Sequence, residues 1–250
     1  MHRDAAVQPW LAHFSDPEAV KHYAAGPPRF VPGFADLHRM TRILLAERTA
    51  PDATVLVLGA GGGLELKALA AAEPRWNFVG VDPAPAMLQL AEQTLGPFNA
   101  RVQLQQGYID DAPDGPFDAA ACLLTLHFLD ADERRRTAGE IHRRLRPGAP
   151  FVAAHSSFPQ QGAERSRWLS RYAAYAIASG ADPDQANNAR VAVDANLNLF
   201  SPEQDAQILR EAGLIRTHKQ GVENISVVRL EDMEARFPGL LPSILKFDGQ

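Results

Sequence analysis

The residues most able to do chemistry stand at the ends of apolar runs. VLVLGAGGG at 55–63 closes such a run with Gly59, Ala60, Gly61 and Gly63. A strand that turns into a helix through glycines lets backbone N–H groups approach a ligand closely. Asp82 stands 23 positions after Gly59, at the end of the next run, WNFVGVD. An acid there can accept hydrogen bonds from ribose hydroxyls. A glycine loop alone also occurs as a plain tight turn. Loop, acid and alternating strands and helices together point to a nucleotide-like ligand. The dinucleotide fingerprint needs a small third residue, and Leu64 stands at that position, which disfavours NAD. No G-x-x-x-x-G-K-[ST] pattern is present, so a P-loop is excluded.

Histidine is the natural base at neutral pH. His127 follows the fourth strand-like run and His155 ends the fifth, both at the carboxyl edge where ligands of parallel sheets bind. Either also fits a structural hydrogen-bonding role. Arg29 and Arg190 are cations that could pair with an anion over the site, although Arg190 in ANNARVAVDAN also reads as a solvated helix residue. Trp168, Tyr172, Tyr175 and Ile177 recur at near-helical spacing, as in a packed lid or dimer face, or a substrate cage. RRR at 134–136 and RR at 143–144 form a basic stripe. A solvated face is its ordinary explanation and an RNA contact the sharper one. Cys122 is the single cysteine and sits in an apolar run, as a buried small hydrophobe would. No Cys/His cluster has metal-ligand spacing, so no metal is expected.

These residues need a scaffold. Residues 1–50 read as a helical cap broken by GPPRFVPGF, and residues 51–250 as one α/β domain. Strand-like runs at TVLVLG, WNFVGVD, RVQLQQG, the start of FDAAACLLTLHFL and APFVAAHSSF alternate with helical segments, the signature of βαβ units. Residues 160–200 break the alternation and read as a helical insertion after the fifth strand. SPEQDAQILREAGL is a helix with Ser201 as N-cap and Pro202 in the first turn. LIRTHKQ and ENISVVRL look like two closing strands, which predicts a Rossmann-like, seven-stranded, mostly parallel sheet with helices on both faces. The chain has 250 residues, 46% of them hydrophobic, enough for a sizeable core. A net charge of −5 argues against a protein that coats nucleic acid, so DNA is not an expected partner. No signal-peptide core or membrane-length apolar run is evident, so the expectation is a cytoplasmic protein without a membrane partner, and a homodimer is possible.

The spacing Gly59, Gly61, Gly63 resembles the class I S-adenosylmethionine-dependent methyltransferases. GVDPAPAML, QGYIDDAP, FDAAACLLTLHFL and RRLRPGAPFV resemble that family's later motifs, and the likeness covers roughly residues 50–155. It implies that the glycine loop cradles the cofactor's methionine part and Asp82 its ribose. Pro83 and Met87 would pack near the adenine, Gly107, Tyr108 and Ile109 would line its edge, and Leu123 of the fourth motif would also contact the cofactor. The flanks RFVPGFADLHRM and NNARVAVDANLNLFSPEQ look like the carboxy-S-adenosylmethionine synthases of tRNA wobble-uridine modification. In that family Arg190 would pair with the cofactor's carboxylate, and prephenate is the carboxyl donor. This chain departs from it at Val57, Tyr108, Leu123 and Phe34, where the family has polar cofactor contacts. The resemblance implies a methyltransferase acting on a small molecule or a tRNA-related acceptor, with carboxylated-cofactor synthesis as the alternative.

Overall fold

In the computed structural model, residues 8–21, 23–214, 218–220 and 223–225 are described. The N-terminal segment forms α1 (Gln8–Ser15), α2 (Pro17–Val20), a 3-10 turn at Tyr23–Ala25, α3 (Pro27–Phe30) and α4 (Phe34–Ala46). The chain then alternates: β1 (Thr54–Leu58), α5 (Leu64–Ala72), β2 (Asn77–Asp82), α6 (Pro85–Leu95), β3 (Val102–Gln106), β4 (Ala119–Leu123), α7 (Ala131–Arg144) and β5 (Phe151–Ala154). Two helices follow, α8 (Gly162–Ala178) and α9 (Pro183–Asn196), then α10 (Pro202–Glu211). Ser201 caps α10 in a reciprocal capping box with Gln204, and Pro202 sits in its first turn.

The five strands form one sheet in the order β3-β2-β1-β4-β5, every neighbouring pair parallel. β1 is central, and its residues show why the run is continuously apolar. Val55 and Val57 pack with Leu45, Leu66 and Leu69 on one face. Leu56 and Leu58 pack with Ile109, Leu126 and Ile141 on the other. A strand covered on both faces has no position for a polar side chain. Each such aliphatic group contributes about 1.5–3 kcal/mol on burial.

Among the described residues the parallel sheet has five strands where seven are expected. The two remaining segments form β6 (His218–Gln220) and β7 (Glu223–Ile225), an antiparallel pair of their own. They belong to a second unit, Ile215–Gln250, separate from Met1–Leu214. With two residues between them, each is the other's cheapest partner in loop entropy. Residues 215–217 of the first expected closing strand and 226–230 of the second lie outside the described residues.

The basic stripe on α7 is not uniformly solvated. Arg134 and Arg144 are buried, while Arg143 remains exposed. The Arg134 guanidinium pairs with Asp205 on α10 and donates to the carbonyls of Asn198 and Leu129. No described helix is long and apolar enough to cross a membrane.

Candidate functional site

The carboxyl ends of the strands are tied to one another by backbone bonds. Gly59 and Ala60 N–H both donate to the Val81 carbonyl, at 2.8 and 3.0 Å. Gly107 N–H donates to the Asp82 carbonyl at 3.0 Å, and Leu124 N–H to that of Ala154 at 2.6 Å. Leu124 holds a positive φ of 54°, the only such non-glycine among the described residues. Unusual backbone of this kind concentrates at functional sites.

A cavity of about 250 Å³ opens along this edge. Its floor is the loop Gly59–Gly62 with Leu64 and Glu65 at the start of α5. Asp82, Pro83 and Met87 form one wall, and Gly107, Tyr108, Ile109 and Leu123 line another. The structure thus brings these residues together around one space. Gly63 is not in the lining. Its φ of 79° and its closeness to α6, where an added Cβ would lie 2.9 Å from the Ala91 Cα, make it a packing residue between α5 and α6.

Asp82 organises the floor. Oδ2 accepts from Gly61 N–H at 2.8 Å and Oδ1 from Ala84 N–H at 2.9 Å. Burial raises its pKa, and the two backbone donors partly oppose that. Each carboxylate oxygen has a second lone pair, so the group can still accept from a ligand hydroxyl.

The N-terminal segment adds Trp10, Leu11, Phe14, Tyr23, Phe34 and His38 to the lining, with Leu11, Phe14 and Tyr23 packed against the cluster that holds Met87. Trp10 meets Phe128 at 5.6 Å between ring centroids, and Phe14 meets Phe128 and Tyr23 edge-on at 6.2 Å each. Trp10 Nε1 is buried without a hydrogen-bond partner among the described residues. His38 sits edge-on to Phe34 at 4.6 Å, and burial lowers its pKa, so it is neutral at pH 7. Arg136, also in the lining, pairs with Asp110 at 2.8 Å and with Glu133 at 3.1 Å.

The histidines singled out from the sequence are elsewhere. His127 is buried and accepts from Ser156 N–H through Nδ1 at 3.1 Å. Burial first, then His155 and Arg134, push its pKa down to about 3. His155 Nε2 lies 3.1 Å from Asp205 Oδ2, beneath α10. Neither lines the cavity. Arg190 donates to Asn187 Oδ1 within its own helix, at 3.0 and 3.1 Å, and is also outside the lining. Tyr172 packs on Phe30 at 5.8 Å and Trp168 on Phe158 at 6.2 Å, so the α8 aromatics hold helices and build no cage at this cavity. Sequence reasoning missed His38, Glu65 and the aromatic wall. The pattern Phe34–His38, at i, i+4 on a helix after a proline-glycine stretch, was the one available signal for His38.

The floor fits a nucleoside with an amino-acid tail. It offers a glycine loop too tight for side chains, a buried carboxylate at the end of β2, and a second buried carboxylate, Glu65, whose Oε1 has no partner among the described residues. The methyltransferase-domain family model matches residues 55–148, which run from β1 through α7. The carboxy-S-adenosyl-L-methionine synthase of Campylobacter lari is 22% identical over 185 residues, covering 74% of this chain and 79% of its own length. An O-methyltransferase family protein of Burkholderia thailandensis matches with a TM-score of 0.59 at 20% identity, over 85% of this chain and 58% of that one. Human N-acetylserotonin methyltransferase, solved with S-adenosylmethionine, matches with a TM-score of 0.59 at 14% identity, over 86% and 56%. Residues 55–148 match a methyltransferase domain, and this segment carries β1 to β4, four of the five parallel strands that frame the cavity.

Proposed function

We propose that this protein transfers a methyl group from S-adenosylmethionine to a small acceptor with aromatic character, held beneath the N-terminal helices. One observation carries the reading: the same cavity is lined by Asp82, the glycine loop and Tyr108 and by the rings of Trp10, Phe14, Phe34 and Phe128. The cofactor, when bound, supplies an electrophilic methyl on a good leaving group, so alignment of the acceptor provides much of the acceleration. The ring faces align and desolvate an aromatic acceptor. The partnerless Trp10 N–H gives such an acceptor one hydrogen bond to satisfy. Neutral His38 is the one histidine of the described lining, and it can take the proton of an acceptor hydroxyl.

The relatives matched over most of the chain bear the name carboxy-S-adenosyl-L-methionine synthase, which keeps that activity as the second reading. Against it stands Arg190, which bonds Asn187 on its own helix and does not line the cavity. Incubation with S-adenosylmethionine and a panel of phenols and hydroxylated heteroaromatics should release S-adenosylhomocysteine with a methylated product by mass spectrometry. Turnover of S-adenosylmethionine with prephenate to a product heavier by one carboxyl group, and with no phenol, would reverse the ranking.

A further inference from the structure

Glu65 is a carboxylate in the wrong place for a structural residue. It lies in the first turn of α5, two positions after Gly63, and its side chain is buried. It lines the cavity, yet Oε1 has no hydrogen-bond partner among the described residues. An unmatched buried carboxyl is costly and is retained where a ligand completes it. Val57, near the end of β1, is packed into the apolar face beside Leu66, so β1 presents no acid at this end.

We propose that Glu65 is the counter-ion for the α-ammonium of the cofactor's methionine part, supplied from α5 because β1 carries no acid. This rests on the S-adenosylmethionine reading above. The chemistry recognised is a primary ammonium beside a glycine loop: three donors on a compact cation meet a carboxylate already desolvated. The titratable groups within electrostatic reach are the Tyr23 phenol and the Cys122 thiol, whose pKa values burial raises, with Asp82 acting on the same Tyr23. None of these is a cation, and Arg136, the cation of the described lining, is already paired with Asp110 and Glu133. Without it, burial pushes the Glu65 pKa up to about 8. At pH 7 the empty site is therefore mostly protonated, and binding an ammonium expels that proton.

The test is calorimetry at pH 7 in buffers of different ionisation enthalpy, on the whole chain and on Glu65→Gln. The ligands are S-adenosylmethionine, S-adenosylhomocysteine and 5′-methylthioadenosine, which lacks the amino-acid part. The proposal expects Glu65→Gln to bind the first two about 10- to 100-fold more weakly and 5′-methylthioadenosine unchanged. It also expects the wild type to release close to one proton with the first two ligands and the variant none. Unchanged 5′-methylthioadenosine affinity shows that the cavity of the variant is intact. A loss for S-adenosylmethionine alone would put the charge contact on the sulfonium and overturn the assignment. Equal affinities in wild type and variant would overturn it outright. Failure of the wild type to bind any of the three would instead bring down the cofactor reading, and the assignment with it.

Discussion

The Asp82 carboxylate accepts a hydrogen bond from the Gly61 backbone N–H at 2.8 Å, across 21 residues of chain. The acid that ends β2 therefore holds the glycine loop that ends β1. A residue expected to bind ribose has a prior task in shaping the floor. Asp82→Asn keeps the size but presents an N–H where an acceptor is needed for one of the two backbone donors. It should lose about 1.5–3 kcal/mol in urea unfolding, the usual value of a charged hydrogen bond. Cofactor affinity should fall by at least tenfold at the same time. A variant that loses affinity with unchanged stability would show that the loop needs no such support.

The two helices that flank the loop meet at Gly63 and Ala91. Gly63→Ala forces a Cβ against the Ala91 backbone at a φ of 79°, where side chains are disfavoured. It should cost about 2 kcal/mol or more through displaced packing. Since Gly63 does not line the cavity, residual folded protein should keep most of its cofactor affinity. A specific loss of affinity without loss of stability would mean that the loop glycine touches ligand after all.

How much of this could be read from the sequence depends on range. The glycine loop, Asp82, the Ser201 cap and the five strands follow from neighbours within a few residues, and those patterns are visible locally. The N-terminal part of the cavity's lining is not. Trp10, Phe14 and His38 reach it by packing of α1 and α4 onto a domain that begins later in the chain, and no local period reports that. Arg134 stands next to the half-buried Arg135 in the same run of arginines, and Asp205, 71 residues away, pairs with it in the interior. The expectation for His127 and His155 followed their position at strand ends correctly. It failed to see that α10 and the backbone at Ser156 close over them.

Two buried groups give stability of the unliganded protein opposite slopes with pH. Glu65 has a folded pKa of about 8 against an ordinary 4.5, so its contribution is full below 4.5 and is lost as pH rises to 8. His127, at about 3 against 6.5, contributes above 6.5 and loses that as pH falls toward 3. The groups acting on His127 are His155, Arg134 and Asp205. Stability should rise from pH 3, level off between about 4.5 and 6.5, and decline toward 8, each flank worth on the order of a few kcal/mol. Thermal unfolding across pH checks this. Glu65→Gln should remove the decline on the alkaline side and leave the acid side unchanged. A decline that persists in the variant would show that another group causes it.

On the proposed reading, His38 and Arg190 should behave in opposite ways. With a hydroxylated acceptor, His38→Gln should lower kcat by about 100-fold or more while the acceptor KM moves little. Trp10→Phe, which removes only the indole N–H and some ring area, should raise KM several-fold with kcat preserved. Arg190→Ala should leave both cofactor affinity and turnover near wild type. A large loss at Arg190 would revive the carboxylated cofactor, because the arginine would then be recruited to an anion despite its bond to Asn187.

The last relationship is structural and reaches the site through α7. Arg134 is fully buried, bound to the Asp205 carboxylate, to the carbonyls of Leu129 and Asn198, and stacked at 4.5 Å over the Phe200 ring. Burial pushes the Asp205 pKa up, but His155, Ser157 and Arg134 together win and hold it below its usual value. Removing the arginine alone leaves a buried carboxylate with part of its support gone, a change that typically costs 3–5 kcal/mol. Arg134→Met should therefore destabilise by about that amount. Arg134→Met with Asp205→Leu should recover much of it, because two apolar groups need no partners. Leu129 and Asn198 also line the cavity. The single variant should thus weaken acceptor binding as the Leu129 and Asn198 carbonyls lose their donor. If the double variant regains stability yet not acceptor affinity, Arg134 positions the cavity wall through those carbonyls. If both return together, the network serves the fold alone.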